Sequence, residues 1–293
     1  MNNLSRRNFL AVAGGLTGAL ALAGCNNASQ GGEKTDEAAK DDTTAEDADT
    51  ASDGDLGLVA EGTFTVAMSP DYPPFENMDG TEHVGFDVDL SAAIAEKLGL
   101  TVEYKDMNFD AICTAIAAGG QADVGCSGIS IEPDREEQVD FSDPYYTDDQ
   151  CVVTMTANEA ITKDNYEDEL NKEGVIIAVQ SGTTSETFAK ETFPNATIKP
   201  YTAATECFAD LQANTEFTSD RPLAVVINLS VGAAMLKEAY TDAHVVGQVA
   251  AGEDYAVAVS KDNPALLKAV NGAIAELSDE GKLDELASTW GLA

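Results

Sequence analysis

Basic residues are scarce in this chain. Lysine and arginine together number 16 against 52 aspartates and glutamates, a formal net charge of −36 over 293 residues. So acidic a chain has little with which to neutralise phosphates, which argues against nucleic acid as a partner. It also lacks a basic patch for docking on anionic lipid. The two histidines, His83 and His244, are far apart and without ligand spacing, so no transition-metal site and no cofactor is expected. The acidity reads as a solvated surface suited to solubility or a salty environment. Hydrophobic residues at 44% and charged residues at 23% are ordinary for a globular protein, and the length allows one or two domains.

The N-terminus reads as an address. Ser5-Arg6-Arg7-Asn8-Phe9-Leu10 is a twin-arginine pattern, followed by a Gly/Ala-rich apolar run from Leu10 to Ala23. That run is too short for a comfortable membrane span. It ends in Leu22-Ala23-Gly24-Cys25, which resembles the bacterial lipobox, where small residues admit a signal peptidase and the cysteine thiol accepts a lipid. Residues 1–25 are thus expected to be a lipoprotein signal peptide with Cys25 lipidated. Residues 26–57 have almost no large apolar side chains and many acids, so they are expected to form a disordered tether. Four further cysteines, Cys113, Cys126, Cys151 and Cys207, lie in apolar segments; an exported location permits disulfides, but no pair is assigned.

From Gly62 onward strands and helices alternate. Gly62–Met68 alternates apolar and polar residues as a strand does, then stops at the proline-stiffened DYPPF segment. Phe86, Leu90, Ile94 and Leu98 form one apolar helical stripe, with acid at its start and Gly99 after it. Asn108-Phe109-Asp110 opens a second helix to Ala118, and Ala122–Cys126 is a third strand. Short connections between such elements point to α/β sheets. The stretch Ser127–Tyr146, SGISIEPDREEQVDFSDPYY, carries a lone Arg135 beside small residues with accessible backbone. A half-buried guanidinium next to free N–H groups is a carboxylate receptor.

DYPPF, GFDVDLSAAIAEKLG, NFDAICTAIAAGGQADV, SGISIEPDR and FSDPYY occur in that order. This resembles the bacterial extracellular solute-binding proteins of family 3, over residues from about Gly62 to the C-terminus. The resemblance implies an α/β, two-lobe periplasmic-binding-protein fold, type II-like, with two hinge crossovers. Residues 58–149 and 250–293 would form lobe 1, and residues 150–249 lobe 2. It implies capture of an amino acid or related small carboxylate between the lobes, and delivery to an ABC permease with a cytoplasmic ATPase. The protein would be a lipid-anchored monomer on the outer face of the cytoplasmic membrane, and not an enzyme.

The same resemblance implies the site. Arg135 would grip the ligand carboxylate, with the Ser130 N–H beside it and Ser127 and Gly128 facing the amino group or ligand backbone. Tyr72 and Phe109 would sandwich the ligand side chain. In lobe 2, Thr183 and Thr184, at the start of a helix, would meet the carboxylate from the other side. The main departure is Asn228, where relatives commonly carry an aspartate for the ligand ammonium. An amide supplies no charge there. Either another acid, Glu253 or Asp254, reaches the ammonium, or the ligand is not a standard α-amino acid. Ser69 stands where receptors for basic amino acids carry an acid, which disfavours lysine and arginine. Two other readings are a periplasmic-fold enzyme of the dehydratase kind and a tethered ligand sensor.

Overall fold

Two five-stranded sheets, each backed by helices, are linked by two strands that run from one sheet into the other. The computed structural model describes residues 56–292; the expected signal peptide, Cys25 and most of the expected tether lie outside the described residues. Leu56 already belongs to the fold: its carbonyl accepts the Asn263 side-chain amide at 2.7 Å.

The first lobe contains β1 (Thr63–Met68), a hairpin of β2 (Asn77–Asp79) and β3 (Glu82–Val84), α1 (Phe86–Lys97), β4 (Thr101–Asp106), α2 (Ile112–Ala118), β5 (Val124–Gly125), α3 (Pro133–Glu136) and β6 (Val139–Phe141). β1 sits between β4 and β5 in parallel pairing, and its last five residues are buried, Thr65 together with Phe64, Val66, Ala67 and Met68. The α1 stripe buries Phe86, Leu90 and Ile94 as the spacing requires. Gly85, just ahead of it, has no alternative. A Cβ there would stand 2.1 Å from the Phe75 carbonyl oxygen, at a φ of +140°.

The second lobe contains β7 (Tyr146–Met155), α4 (Tyr166–Leu170), β8 (Ile176–Gln180), α5 (Thr184–Thr192), β9 (Thr197–Tyr201), α6 (Ala204–Gln212), β10 (Ala224–Asn228), α7 (Leu229–Glu238) and β11 (Ala243–Tyr255). The chain then returns to the first sheet as β12 (Ala258–Ser260) and ends in α8 (Pro264–Asp279) and α9 (Lys282–Thr289). This is the α/β two-lobe architecture expected, with strand orders β4-β1-β5-β12-β6 and β11-β7-β10-β8-β9. The segment Tyr255–Val259 is not one strand. Ala256 N–H goes to the Ile129 carbonyl and Val257 N–H to the Ser142 hydroxyl, so pairing breaks between β11 and β12. The Trp290 indole N–H donates to Asp89 at 2.8 Å and fastens the chain end to α1.

β7 and β11 are the two crossovers, paired antiparallel from Tyr146–Tyr255 at the first lobe to Met155–Ala243 in the second. At their base Phe75 is fully buried, edge-on to Phe86, Tyr146 and Tyr255 with ring centroids 5.1–6.1 Å apart. Edge-to-face pairs add about 0.5–1.5 kcal/mol each beyond area burial. The aromatic end of FSDPYY is therefore the anchored root of the crossovers.

Candidate functional site

The two lobes meet across a cleft rimmed by the C-terminal ends of β1, β5, β8 and β10, where open α/β sheets bind ligands. On the first lobe, Arg135 is 8% exposed. α3 carries it, a single turn started by Pro133 at the first position. Its Nη1 donates to the Ser130 carbonyl at 2.7 Å, and its guanidinium carbon lies 5.3 Å from the centre of the Phe109 ring. Its Nη2 crosses the cleft to the Gly182 carbonyl at 3.0 Å and also lies 3.4 Å from Glu132. Arg221, the other arginine among the described residues, pairs with Asp210 on the second lobe, away from this arrangement.

Tyr72 is buried and its hydroxyl donates across the cleft to Asn228 Oδ1 at 2.6 Å. Ser127 and Gly128 point elsewhere. The Ser127 hydroxyl donates to Glu76 at 2.7 Å and accepts the Ser69 N–H, while the Gly128 N–H donates to Asp87 at 2.6 Å. Glu76 and Asp87 are fully buried, in contact with each other, and each has one oxygen without another partner. Burial and mutual repulsion hold the Glu76 carboxyl well above the carboxylate range, and burial lifts Asp87 to about 6. Ser127 and Gly128 thus rest on a rigid polar base beneath the cleft.

On the second lobe, Thr183 is the N-cap of α5. Its hydroxyl accepts the Glu186 N–H at 3.2 Å and donates to the Gln180 carbonyl at 2.8 Å, so its side chain is occupied by capping. Thr184 differs. Its hydroxyl donates to Glu253 Oε2 at 2.7 Å and accepts from Gln150 at 3.1 Å. Its N–H belongs to the first turn of α5, where backbone donors have no acceptor within the helix. Asn228 ends β10, and its amide nitrogen also reaches Glu253 Oε2, at 3.1 Å.

Three further residues complete the cleft. Gln150 on β7 holds Glu253 Oε1 at 2.8 Å and accepts from Ser185. Asp71 of the first lobe accepts the Gln180 side chain at 3.3 Å and the Ala204 N–H at 3.2 Å from the second lobe. Burial pushes Asp71 up to about 6. Gln180 Oε1 is buried and has no partner among the described residues. Asp71 and Glu253 reach across the cleft to second-lobe or first-lobe donors, beside the one guanidinium of Arg135. Among the described residues no cluster of ligating side chains holds the geometry of a metal site.

This arrangement offers one cation and several acceptors to a small polar solute enclosed between two lobes. A family model for bacterial extracellular solute-binding proteins, family 3, matches residues 64–293. The chain belongs to that family. The arginine-binding extracellular protein ArtP of Bacillus subtilis (strain 168) is 35% identical over 225 residues, covering 76% of this chain and 83% of ArtP. An ancestral arginine-binding protein bound to glutamine superposes with a TM-score of 0.71 at 34% identity, covering 80% of this chain and all of that one. The ancestral amino acid-binding protein AncCDT-1, a precursor of cyclohexadienyl dehydratase, gives 0.70 at 34% identity, covering 78% of this chain and 95% of its own. Family 3 proteins are extracellular receptors for solutes, and this chain is a solute-binding protein of that family. Among the described residues no helix is long and apolar enough to cross a membrane.

Proposed function

We propose that this family 3 protein is the receptor of an ABC importer, which encloses an amino acid between its lobes and presents it to a permease. The observation that carries the reading is the position of Arg135. Its guanidinium is buried and flanked by Phe109. It is held by the Ser130 carbonyl on one lobe and the Gly182 carbonyl on the other. The Ser130 N–H has no partner among the described residues, and the start of α5 faces it across the cleft. A carboxylate placed among these groups gains charge-assisted bonds from both lobes at once, and so favours closure about β7 and β11. Tyr72 and Phe109 supply apolar walls for the rest of the solute. The acceptors Asp71 and Gln180 Oε1 favour a side chain that carries N–H donors. Asp71 lies two residues beyond Ser69, so the lack of an acid at 69 does not by itself exclude a cationic side chain.

The cellular setting follows from the N-terminal pattern. Export by the twin-arginine route, lipidation at Cys25 and an acidic tether would hold a monomeric receptor at the outer face of the membrane. The protein would bind without chemistry. A dehydratase-like activity is the second reading, favoured only by the kinship with AncCDT-1. Isothermal titration of the purified protein with the twenty amino acids is the test. Arg135→Ala should weaken the tightest ligand by roughly 100-fold, the loss of a bidentate charge-assisted contact. An unchanged dissociation constant in that variant refutes the assignment, and turnover of prephenate-like acids would establish the second reading instead.

A further inference from the structure

Beneath the cleft, Glu76 and Asp87 form an acid pair without a cation. Both side chains are fully buried and in hydrogen-bonding contact. Among the described residues no lysine, arginine or histidine pairs with either. Glu76 Oε1 accepts the Ser127 hydroxyl at 2.7 Å. Asp87 Oδ2 accepts the Gly128 N–H at 2.6 Å and the Tyr145 hydroxyl at 2.8 Å. Glu76 Oε2 and Asp87 Oδ1 are buried without another partner. The titratable groups that face the pair are Asp71 and Tyr72 from the loop after β1, Cys126 from the end of β5, Tyr145 ahead of β7 and Tyr255 at the end of β11. None of them is a cation.

Two ionised carboxylates in contact repel, and burial removes the water that would screen them. A single proton ends the repulsion and turns the contact into a hydrogen bond. The surrounding donors decide which side chain carries it. Asp87 has two, and it lies in the first turn of the twelve-residue helix α1, where the helix dipole favours negative charge. Glu76 has one. Asp87 is therefore the anion and Glu76 the acid. The pair also joins two working parts of the molecule. Ser127 and Gly128 begin the turn that carries Ser130 and Arg135, and the Ser127 hydroxyl accepts the Ser69 N–H at 3.0 Å. Tyr145 immediately precedes β7, and its ring stacks on Phe86 with centroids 5.9 Å apart. One proton thus ties the turn before the guanidinium to the root of a crossover.

Resting on the receptor reading above, we infer that the Glu76 proton braces the ligand-binding turn against the crossover root, and that its loss at alkaline pH weakens ligand capture. Deprotonation places two charges in one buried contact. The side chains then part, and Ser127, Gly128 and Tyr145 lose their fixed positions. A site that needs the proton binds tightly below the upper ionisation of the pair and loses up to about tenfold in affinity per pH unit above it. The receptor holds its solute in acid and neutral surroundings and yields it in alkaline ones.

Infrared spectroscopy of the purified protein tests the proton. At pH 7.5 wild type should show a carboxylic-acid C=O band that fades as pH is raised while circular dichroism stays native, and Glu76→Gln should lack it. Glutamine keeps an acceptor for Ser127 and an N–H for Asp87 but does not ionise. Titration with the tightest of the twenty L-amino acids at pH 7 and pH 9 tests the brace. The wild-type dissociation constant divided by that of Glu76→Gln should rise by about tenfold or more between the two. The amino group of the ligand titrates alike with both proteins and cancels in the ratio. If Glu76→Gln does not fold, Tyr145→Phe takes its place. It removes a donor from Asp87, which disfavours ionisation, so the fading of the band and the loss of affinity should move to higher pH together. A wild-type protein without the acid band overturns the inference and needs no variant. So does a ratio that stays constant with pH, or an affinity loss that Tyr145→Phe leaves in place. If no amino acid binds, or Arg135→Ala is silent, the receptor reading fails and the capture claim with it, whatever the infrared band shows.

Discussion

Gly182→Ala separates closure from folding. Gly182 stands on the second lobe at the turn before α5, and a Cβ there would lie 2.7 Å from Asp110 Cβ and 3.0 Å from Asp110 Cα on the first lobe. Carbon atoms in contact prefer about 3.5–4.0 Å, so the added methyl is accommodated only if the lobes part by roughly 1 Å here. Overpacking of this kind costs about 1–3 kcal/mol, and the collision exists only while the lobes are closed. The closed state should lose roughly 5- to 150-fold in population, and ligand affinity with it. A second cost is separate. The φ of +75° is left-handed, worth about 1–2 kcal/mol against alanine, and it burdens the protein open or closed. Gly174→Ala isolates that second cost, because Gly174 has a φ of +85° and nothing within 4 Å of its added Cβ. Urea unfolding without ligand should show both variants destabilised by about 1–2 kcal/mol. Titration of the tightest amino acid should show a loss of affinity for Gly182→Ala alone. If Gly182→Ala binds ligand like Gly174→Ala, then the bound form does not bring residues 110 and 182 together, and the closure argument is wrong.

Acid should stabilise this protein over part of its range. Asp71 and Asp87 sit near 6 when folded, and burial beside Asp87 holds Glu76 well above its ordinary value, so the folded state binds more protons than the unfolded between about pH 4 and 6. Stability therefore falls as pH rises through that window, and melting at constant ionic strength should be higher at pH 5 than at pH 7.5; the Asp71→Asn variant should flatten part of the slope. Asp210, held below its ordinary value, against its partial burial, by bonds to Tyr201 and Lys199 and the charge of Arg221, works in the opposite sense, its contribution being lost as pH falls through its folded pKa. A lower melting temperature at pH 5 contradicts the account. Thiol counting tests the cysteines: Cys113, Cys126, Cys151 and Cys207 are all free, and all but Cys113 are buried. A thiol reagent should modify the three buried ones only on unfolding, since burial pushes Cys151, for one, up to about 12. Fewer than four of these thiols in unfolded, unreduced protein would reveal a disulfide.

The signals that single out Arg135 in the sequence are local. Proline starts its turn, Phe109 belongs to a readable helix start, and Ser130 lies five residues away, so the cation and its setting follow from short segments. Thr183 and Thr184 show the limit of that kind of reading. Adjacent residues at one helix start look alike in sequence, yet one hydroxyl turns back to cap the helix and the other reaches Glu253. Ser127 likewise faces Glu76 rather than the cleft, because a buried carboxyl in the loop after β1 needs a donor. Gln150 offered a faint signal, a polar residue heading the apolar strand QCVVTM, and its burial is explained by three side-chain partners.

What the sequence by itself determined was the alternation of strands and helices and the lone arginine of the Ser127–Tyr146 stretch; the two lobes were what the resemblance implied. Periodicity, proline and glycine positions and ordered motifs are local properties, and they fix local structure. The acidic pole was decided only in three dimensions. Glu253 is 118 residues from Arg135 in the chain, and Asn228 and Gln150 lie on different strands. The resemblance offered Glu253 or Asp254, and only the fold shows that Glu253 meets Ser130, Thr184 and Asn228 while Asp254 accepts from Thr147. The pairing of β7 with β11, and the closing of one lobe on the other, bring that carboxylate within a hydrogen bond of Ser130. Long-range contacts of this kind depend on the whole fold being formed, and no short segment encodes them.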